Sequence, residues 1–164
     1  MGQYHYVANM DKREKLDPWN LGSGFKLKEQ IWNTPGTPVA LFILTVACNG
    51  RGGGDVNDEH NYDHKTGEGI VGRWAGDRII TVGDYFDEDD AKNLNVPVTS
   101  LQAVWSDVPV DGKPFKDISD DVRKVMNLIG LGGKYVWKPY SEEFQEDEGG
   151  ENGHYVFEES PLHY

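Results

Sequence analysis

Apolar positions in this chain come in short runs separated by polar stretches rich in glycine, and the spacing within each run points to an element. Tyr4 to Asn9 mixes aromatic and β-branched residues, which predicts a strand over 3–9. From Val39 to Cys48 almost every position is apolar, with Thr45 the exception. That pattern predicts a helix near 38–49 buried on most sides, although its β-branched residues leave a strand as the alternative. Thr37 is the expected cap, Pro38 the first helical residue, and Asn49-Gly50 the stop. Ile70 to Trp74 and Arg78 to Tyr85 read as two strands of a tight hairpin turning at Ala75-Gly76-Asp77. Residues 98–105 and 134–138 read as further strands, the latter halted by Pro139. Ile118, Val122, Val125, Met126 and Ile129 recur at helical spacing behind Asp117 or Ser119 as cap, and glycines from Gly130 onward end that helix. Asp84 to Asp90 reads as an acidic loop.

Together these elements predict an α+β fold. A mostly antiparallel sheet is built from 3–9, 70–85, 98–105 and 134–138, with two principal helices packed on one face. Residues 1–138 form a single domain in this reading, and 139–164 an acidic C-terminal segment with a small aromatic cluster at Tyr155 and Phe157. There is no internal repeat or heptad pattern.

Composition narrows the class. At 164 residues the chain is long enough to bury a core without disulfides, and 5 Trp, 8 Tyr and 6 Phe exclude a disordered chain. Cys48 is the single cysteine, so no disulfide framework exists; inside its apolar run it is expected to be a packing residue, not a nucleophile. The first thirty residues lack the apolar stretch of a signal peptide, and Val39 to Cys48 is too short to span a bilayer. Tyr6 stands where a myristoylation signal needs Ser or Thr. A soluble, cytoplasmic protein without membrane attachment is expected. The net charge of -12 argues against direct binding of nucleic acid, whose phosphates need an excess of Lys and Arg. Most of that charge sits in the tail. Eight acids and no Lys or Arg follow Lys138, leaving 20 acids against 16 bases, or -4, in residues 1–138.

Three groupings carry candidate chemistry. Asn49, Arg51, Gly53 and Asp55 belong to a glycine-rich loop, Asn49 to Asp55, that directly follows the predicted helix. Phosphate loops stand after a strand and open a helix, so this order is reversed, and the Gly-Lys-Ser/Thr ending is missing. A nest of amides with Arg51 beside it still offers an anion site, against a plain helix stop and turn. Arg73, Trp74, Asp77 and Arg78 set two guanidinium groups, an indole and a carboxylate around one turn. They suit a bidentate grip on an anion with a stacking face, against an Arg–Asp pair holding the turn and a Trp in the core. Asp55, Asp58, His60, Asp63 and His64 offer carboxylates and imidazoles for zinc, manganese or iron, against a solvated polar loop. Calcium fits less well, since His60 and Thr66 replace the glycine and the final carboxylate of an EF-hand loop. No nucleophile elbow, HExxH or CxxC pattern occurs.

Met1-Gly2-Gln3-Tyr4, Asn9 to Glu14, Asn49 to Asp55, Val71 to Ile79 and Gly83-Asp84-Tyr85 resemble a bacterial and phage protein family that opens Met-Gly-Gln-Tyr. The resemblance covers about residues 1 to 90 and the Asp117-Ile118-Ser119 helix start. It departs at Trp19 and Asn20, where the family pattern has basic or His residues, and it has no counterpart from Tyr140 onward. It brings no activity, ligand or catalytic residue with it.

The expected function is therefore a non-enzymatic binding protein, recognising a protein partner or a small anion through the glycine-rich loop and the Arg/Trp hairpin. One alternative is a metal-dependent phosphoester hydrolase using the Asp/His cluster. Another is a phage virion component or an acidic inhibitor of a basic host protein. No cofactor is expected, a divalent metal at the Asp/His cluster being the one opening for it.

Overall fold

The computed structural model describes residues 2–33, 35–50, 56–107, 112–130, 133–140 and 153–159. Its strands are β1 (His5–Asn9), β2 (Glu14–Leu16), β3 (Ile79–Gly83), β4 (Lys116–Asp117), β5 (Gly133–Pro139) and β6 (Gly153–Glu159). Its α-helices are α1 (Leu27–Trp32), α2 (Gly36–Thr45), α3 (Glu88–Asn93), α4 (Val98–Trp105) and α5 (Ser119–Ile129), with short 3₁₀ turns at Pro18–Leu21 and Asp58–His60. The fold is α+β. A four-stranded sheet has the order β3-β1-β2-β4, and β5-β6 form a separate two-stranded sheet. β1 runs antiparallel to both β2 and β3, whereas β2 and β4 are parallel.

Alternation along β1 divides the core between the two faces of the sheet. Val7 joins Leu16, Leu44, Trp74, Val122 and Met126 on the face covered by α2 and α5. Ala8 joins Val82, Ala91, Leu101, Val104 and Phe115 on the other, under α3 and α4. The two principal helices are thus where the sequence places them, but the opposite face is covered as well.

That second cover comes from segments with a different sequence reading. Residues 98–105 form α4 instead of a strand. Pro97 precedes it, and Val98, Leu101 and Val104 recur three residues apart, a helical spacing that outweighs the β-branched content. The acidic run at 84–90 is not simply a loop, because Asp87 and Asp90 form a reciprocal capping box that starts α3.

The expected hairpin is also replaced. Only Ile79–Gly83 is a strand, and it pairs with β1. Residues 70–77 form successive turns whose amides end a helix: Gly72 N–H donates to the Ile43 carbonyl at 2.9 Å and Trp74 N–H to that of Leu44 at 2.8 Å. Those carbonyls have no partner within α2, so the segment is held by the helix end and not by a strand. Gly72 has φ +79°, and a Cβ there would lie 2.7 Å from the Val46 oxygen. Glycine is required at that position.

α2 ends at Thr45, short of the predicted stop. Thr37 is buried and donates to Gln30 Oε1 instead of capping. Cys48 is exposed with φ +62°, which corrects its expected burial. Residues 133–139 pair with β6 and not with the main sheet, and Tyr155 and Phe157 of β6 pack against the larger core. No α-helix among the described residues is long and apolar enough to cross a membrane.

Candidate functional site

The Arg/Trp segment is bonded to Glu14 at the start of β2, and its polar groups are engaged internally. Glu14 is only 5% exposed. Its carboxylate accepts from Arg73 Nε at 2.9 and 3.0 Å, from Arg73 Nη2 at 2.5 Å and from the indole N–H of Trp74 at 2.7 Å. Arg73 Nη1 donates to the carbonyls of Gly67 and Gly69, and its guanidinium lies 5.1 Å from the Tyr62 ring centre. The bond to Glu14 raises the Arg73 pKa further above its ordinary value. Trp74 has no exposed surface.

Asp77 accepts from Asn9 Nδ2 at 2.8 Å and pairs with Lys12. Burial works to raise its carboxyl pKa, but the hydrogen bonds from Lys12 and Asn9 outweigh that effect and hold it below the usual range. Asn9 also accepts the amides of Asp11 and Lys12, so a fully buried side chain fixes the β1–β2 turn. Arg78 points elsewhere, donating from Nη1 to the Asn95 carbonyl at 3.3 Å, while its amide bonds Asp11. The two arginines therefore serve different partners.

Of the glycine-rich loop, Asn49 is described and Arg51, Gly53 and Asp55 lie outside the described residues. Asn49 Nδ2 donates to the Val56 carbonyl at 3.2 Å and to Asn61 Oδ1 at 2.7 Å, closing the base of the loop. In the Asp/His cluster, Asp58 accepts from Asn61 at 3.4 Å and Asp63 accepts the Lys65 amide at 2.7 Å. His60 Nε2 is 3.6 Å from Glu59, and His64 sits edge-on to Tyr62. Among the described residues no three His, Cys, Asp or Glu side chains come together as a metal-binding group.

A different site stands out. Between β1, the 3₁₀ turn at Pro18–Leu21, the start of α1 and the end of α4 lies a pocket of about 590 Å³. Tyr4, Tyr6, Trp19, Phe25 and Trp105 supply its rings, and Asp17, Glu29 and Lys26 its charged groups. The rings support one another. Tyr6 meets Phe25 edge-on at 5.4 Å and Trp105 at 4.4 Å, and Trp19 stacks parallel to Phe25 at 6.2 Å. Trp19 is also flanked by Tyr140 and by His154 of β6. The wall keeps polar access, since Tyr4 and Trp19 are 46% and 38% exposed.

Asp17 is the notable acid. Its Oδ1 accepts the Trp19 amide at 2.9 Å, and its own amide donates to the buried Ser119 hydroxyl at 2.7 Å. Burial, and then the charge of Asp117, push its carboxyl up to about 6, with the Trp19 amide, Lys15 and the Asn20 amide acting the other way. Lys15 is itself engaged: its ammonium donates to the Val104 carbonyl at 2.7 Å and lies 4.6 Å from the Tyr6 ring centre. Burial first, and then Asp17, Asp117 and Asp107, push the Tyr6 phenol well above its ordinary pKa. Glu29 is used locally, accepting the Lys26 amide at 3.0 Å to start α1. The Trp105 indole N–H is buried without an acceptor among the described residues.

None of the pocket residues stood out as chemistry in the sequence. The available signal was the density of rings between Tyr4 and Phe25. Trp105 comes from a segment with a strand-like reading, and only tertiary contact brings it to Tyr6. Comparison with protein-family models, with curated proteins and with solved structures finds no match to this chain.

Proposed function

We propose that this is a non-enzymatic binding protein whose recognition site is the aromatic pocket. Its ligand would be a small organic group, presented free or on the side chain of a protein partner. The observation that carries this reading is the convergence of five rings with a half-buried carboxyl of raised pKa on one cavity. Apolar pockets with a few placed polar groups and a perturbed acid are the usual form of a ligand site. The neighbourhood of Arg73 supports the same choice from the opposite side. A guanidinium that donates to Glu14, Gly67 and Gly69 has little left for an anion.

Mapping of a fragment library by amide and indole NMR tests the proposal. Shifts should concentrate at Trp19, Trp105 and the backbone of β1 and 17–26. Binding that instead perturbs only residues around Asn49 or Arg78 would move the site away from the pocket.

A further inference from the structure

We infer that the aromatic pocket takes an organic cation, a protonated or quaternary ammonium group held against the rings of Tyr4, Trp19 and Phe25 with Asp17 as its counter-ion. This inference rests on the pocket being the recognition site and adds the chemical class of its ligand.

Ring faces carry negative potential, so a wall of rings attracts cations, and the attraction grows as water is excluded. One ring of the pocket already makes such a contact, with the Lys15 ammonium 4.6 Å from the centre of the Tyr6 ring. The surrounding charges favour the same sign. Asp17 and Glu29 line the cavity, and Asp84 binds the Tyr4 amide at its rim. The charges of Asp117 and Asp107 also act on the Tyr6 hydroxyl. Against these stand Lys15, committed to Val104 and Tyr6, and Lys26 at the mouth. An anion entering here would face carboxylates and the negative ring faces, with Lys26 alone to favour it. A neutral apolar group would desolvate Asp17 further without compensating its charge. A cation answers both, and the net charge of -12 raises its local concentration. A neutral sugar is the competing ligand, because it too stacks on rings and bonds carboxylates.

The experiment compares choline, its neutral isostere with carbon in place of the ammonium nitrogen, and glucose, each titrated into the full chain and read by indole NMR shifts and Trp fluorescence. Choline is expected to move the Trp19 and Trp105 signals and to bind about tenfold or more tightly than its isostere, a typical ratio for a desolvated cation–π site. Asp17→Asn retains an acceptor for the Trp19 amide and should weaken choline about tenfold while leaving the isostere unchanged. Trp19→Ala, at a partly exposed position, should weaken choline with the fold intact by circular dichroism. Equal affinity for choline and isostere, tighter binding of glucose, or choline affinity unaltered in both variants would overturn the inference. Silence of both choline and isostere would overturn it too. Fragment mapping uses uncharged compounds as well, so the pocket itself stands or falls independently.

Discussion

Two carboxylates close together in sequence, Glu14 and Asp17, meet opposite circumstances. Glu14 receives four hydrogen bonds from Arg73 and Trp74 inside the core, and its charge is balanced where it stands. Asp17 has only the amides of its own turn, Trp19 and Asn20, against burial and a like charge at Asp117, and the Lys15 ammonium is turned to Val104. The first arrangement stabilises the fold and leaves little to offer a ligand. The second leaves an acid of raised pKa at a cavity, where a bound cation would relieve it. A buried charge network is thus a poor guide to a binding site when every member has its partner, and an undercompensated acid beside rings is a better one.

The largest test of this contrast is Glu14→Ala. It strands a partly buried guanidinium and a fully buried indole N–H, and it should cost about 3 kcal/mol in urea unfolding. Ligand affinity of the folded fraction should be nearly unchanged. A loss below about 1 kcal/mol would show that the Arg73 network is not what closes this end of the core.

The pH dependence should separate the two regions by sign. The native Asp17 carboxyl takes its proton near pH 6, against 3.8 for its ordinary value. The native state therefore binds more protons across that window, so Asp17 makes stability fall as pH rises through it, by on the order of 2 kcal/mol. Asp77, whose pKa is lowered chiefly by Lys12 and Asn9 against the opposing effect of burial, contributes stability above the ordinary carboxylate range that is lost as pH falls through its native value. Asp17→Asn should accordingly gain stability relative to the parent between pH 4 and 7, read as the difference between two urea series. An unchanged difference across that range would mean that Asp17 is solvated like a surface acid.

A smaller effect tests the turn that carries Arg73. Gly72→Ala combines φ +79° with a clash on the Val46 carbonyl, whereas Gly76→Ala has φ +80° and open space around it. The first should cost about 2–3 kcal/mol and the second about 1 kcal/mol by thermal unfolding. Equal costs would remove the close approach to α2 as the reason for Gly72. Smallest in stability is Trp19→Ala, expected at about 1 kcal/mol because the ring is partly exposed, although its effect on the pocket should be the greatest.

Local pattern determined a good part of this molecule. β1, α2, α5 and β5 follow from their own periodicity, because each needs only its own apolar face, although the cap and stop expected for α2 are not the ones it uses. The α+β class follows from the same elements. Where local signals competed, tertiary structure decided. Residues 98–105 are β-branched enough for a strand, yet their three-residue spacing fits a helix laid on the far face of the sheet. Residues 70–77 look like a hairpin arm until the end of α2 supplies carbonyls for their amides. β6 lies in an acidic stretch whose strand character depends on β5 beside it.

The same division governs the candidate site. The sequence marks Arg73, Trp74, Asp77 and Arg78 as chemically capable, and the fold divides them: Arg73 and Trp74 share Glu14, Asp77 bonds Asn9 and Lys12, and Arg78 bonds Asn95. Whether such groups face a ligand or each other depends on Glu14 and Asn9, some 60 residues away, and the fold turns them inward. The pocket is legible only after folding, because Tyr6 and Trp105 are joined by the packing of α4 against β1 and by nothing local. Residue type sets what a side chain can do, and periodicity sets which element it rides on. Its partner, and so whether its charge is satisfied, is decided by long-range packing.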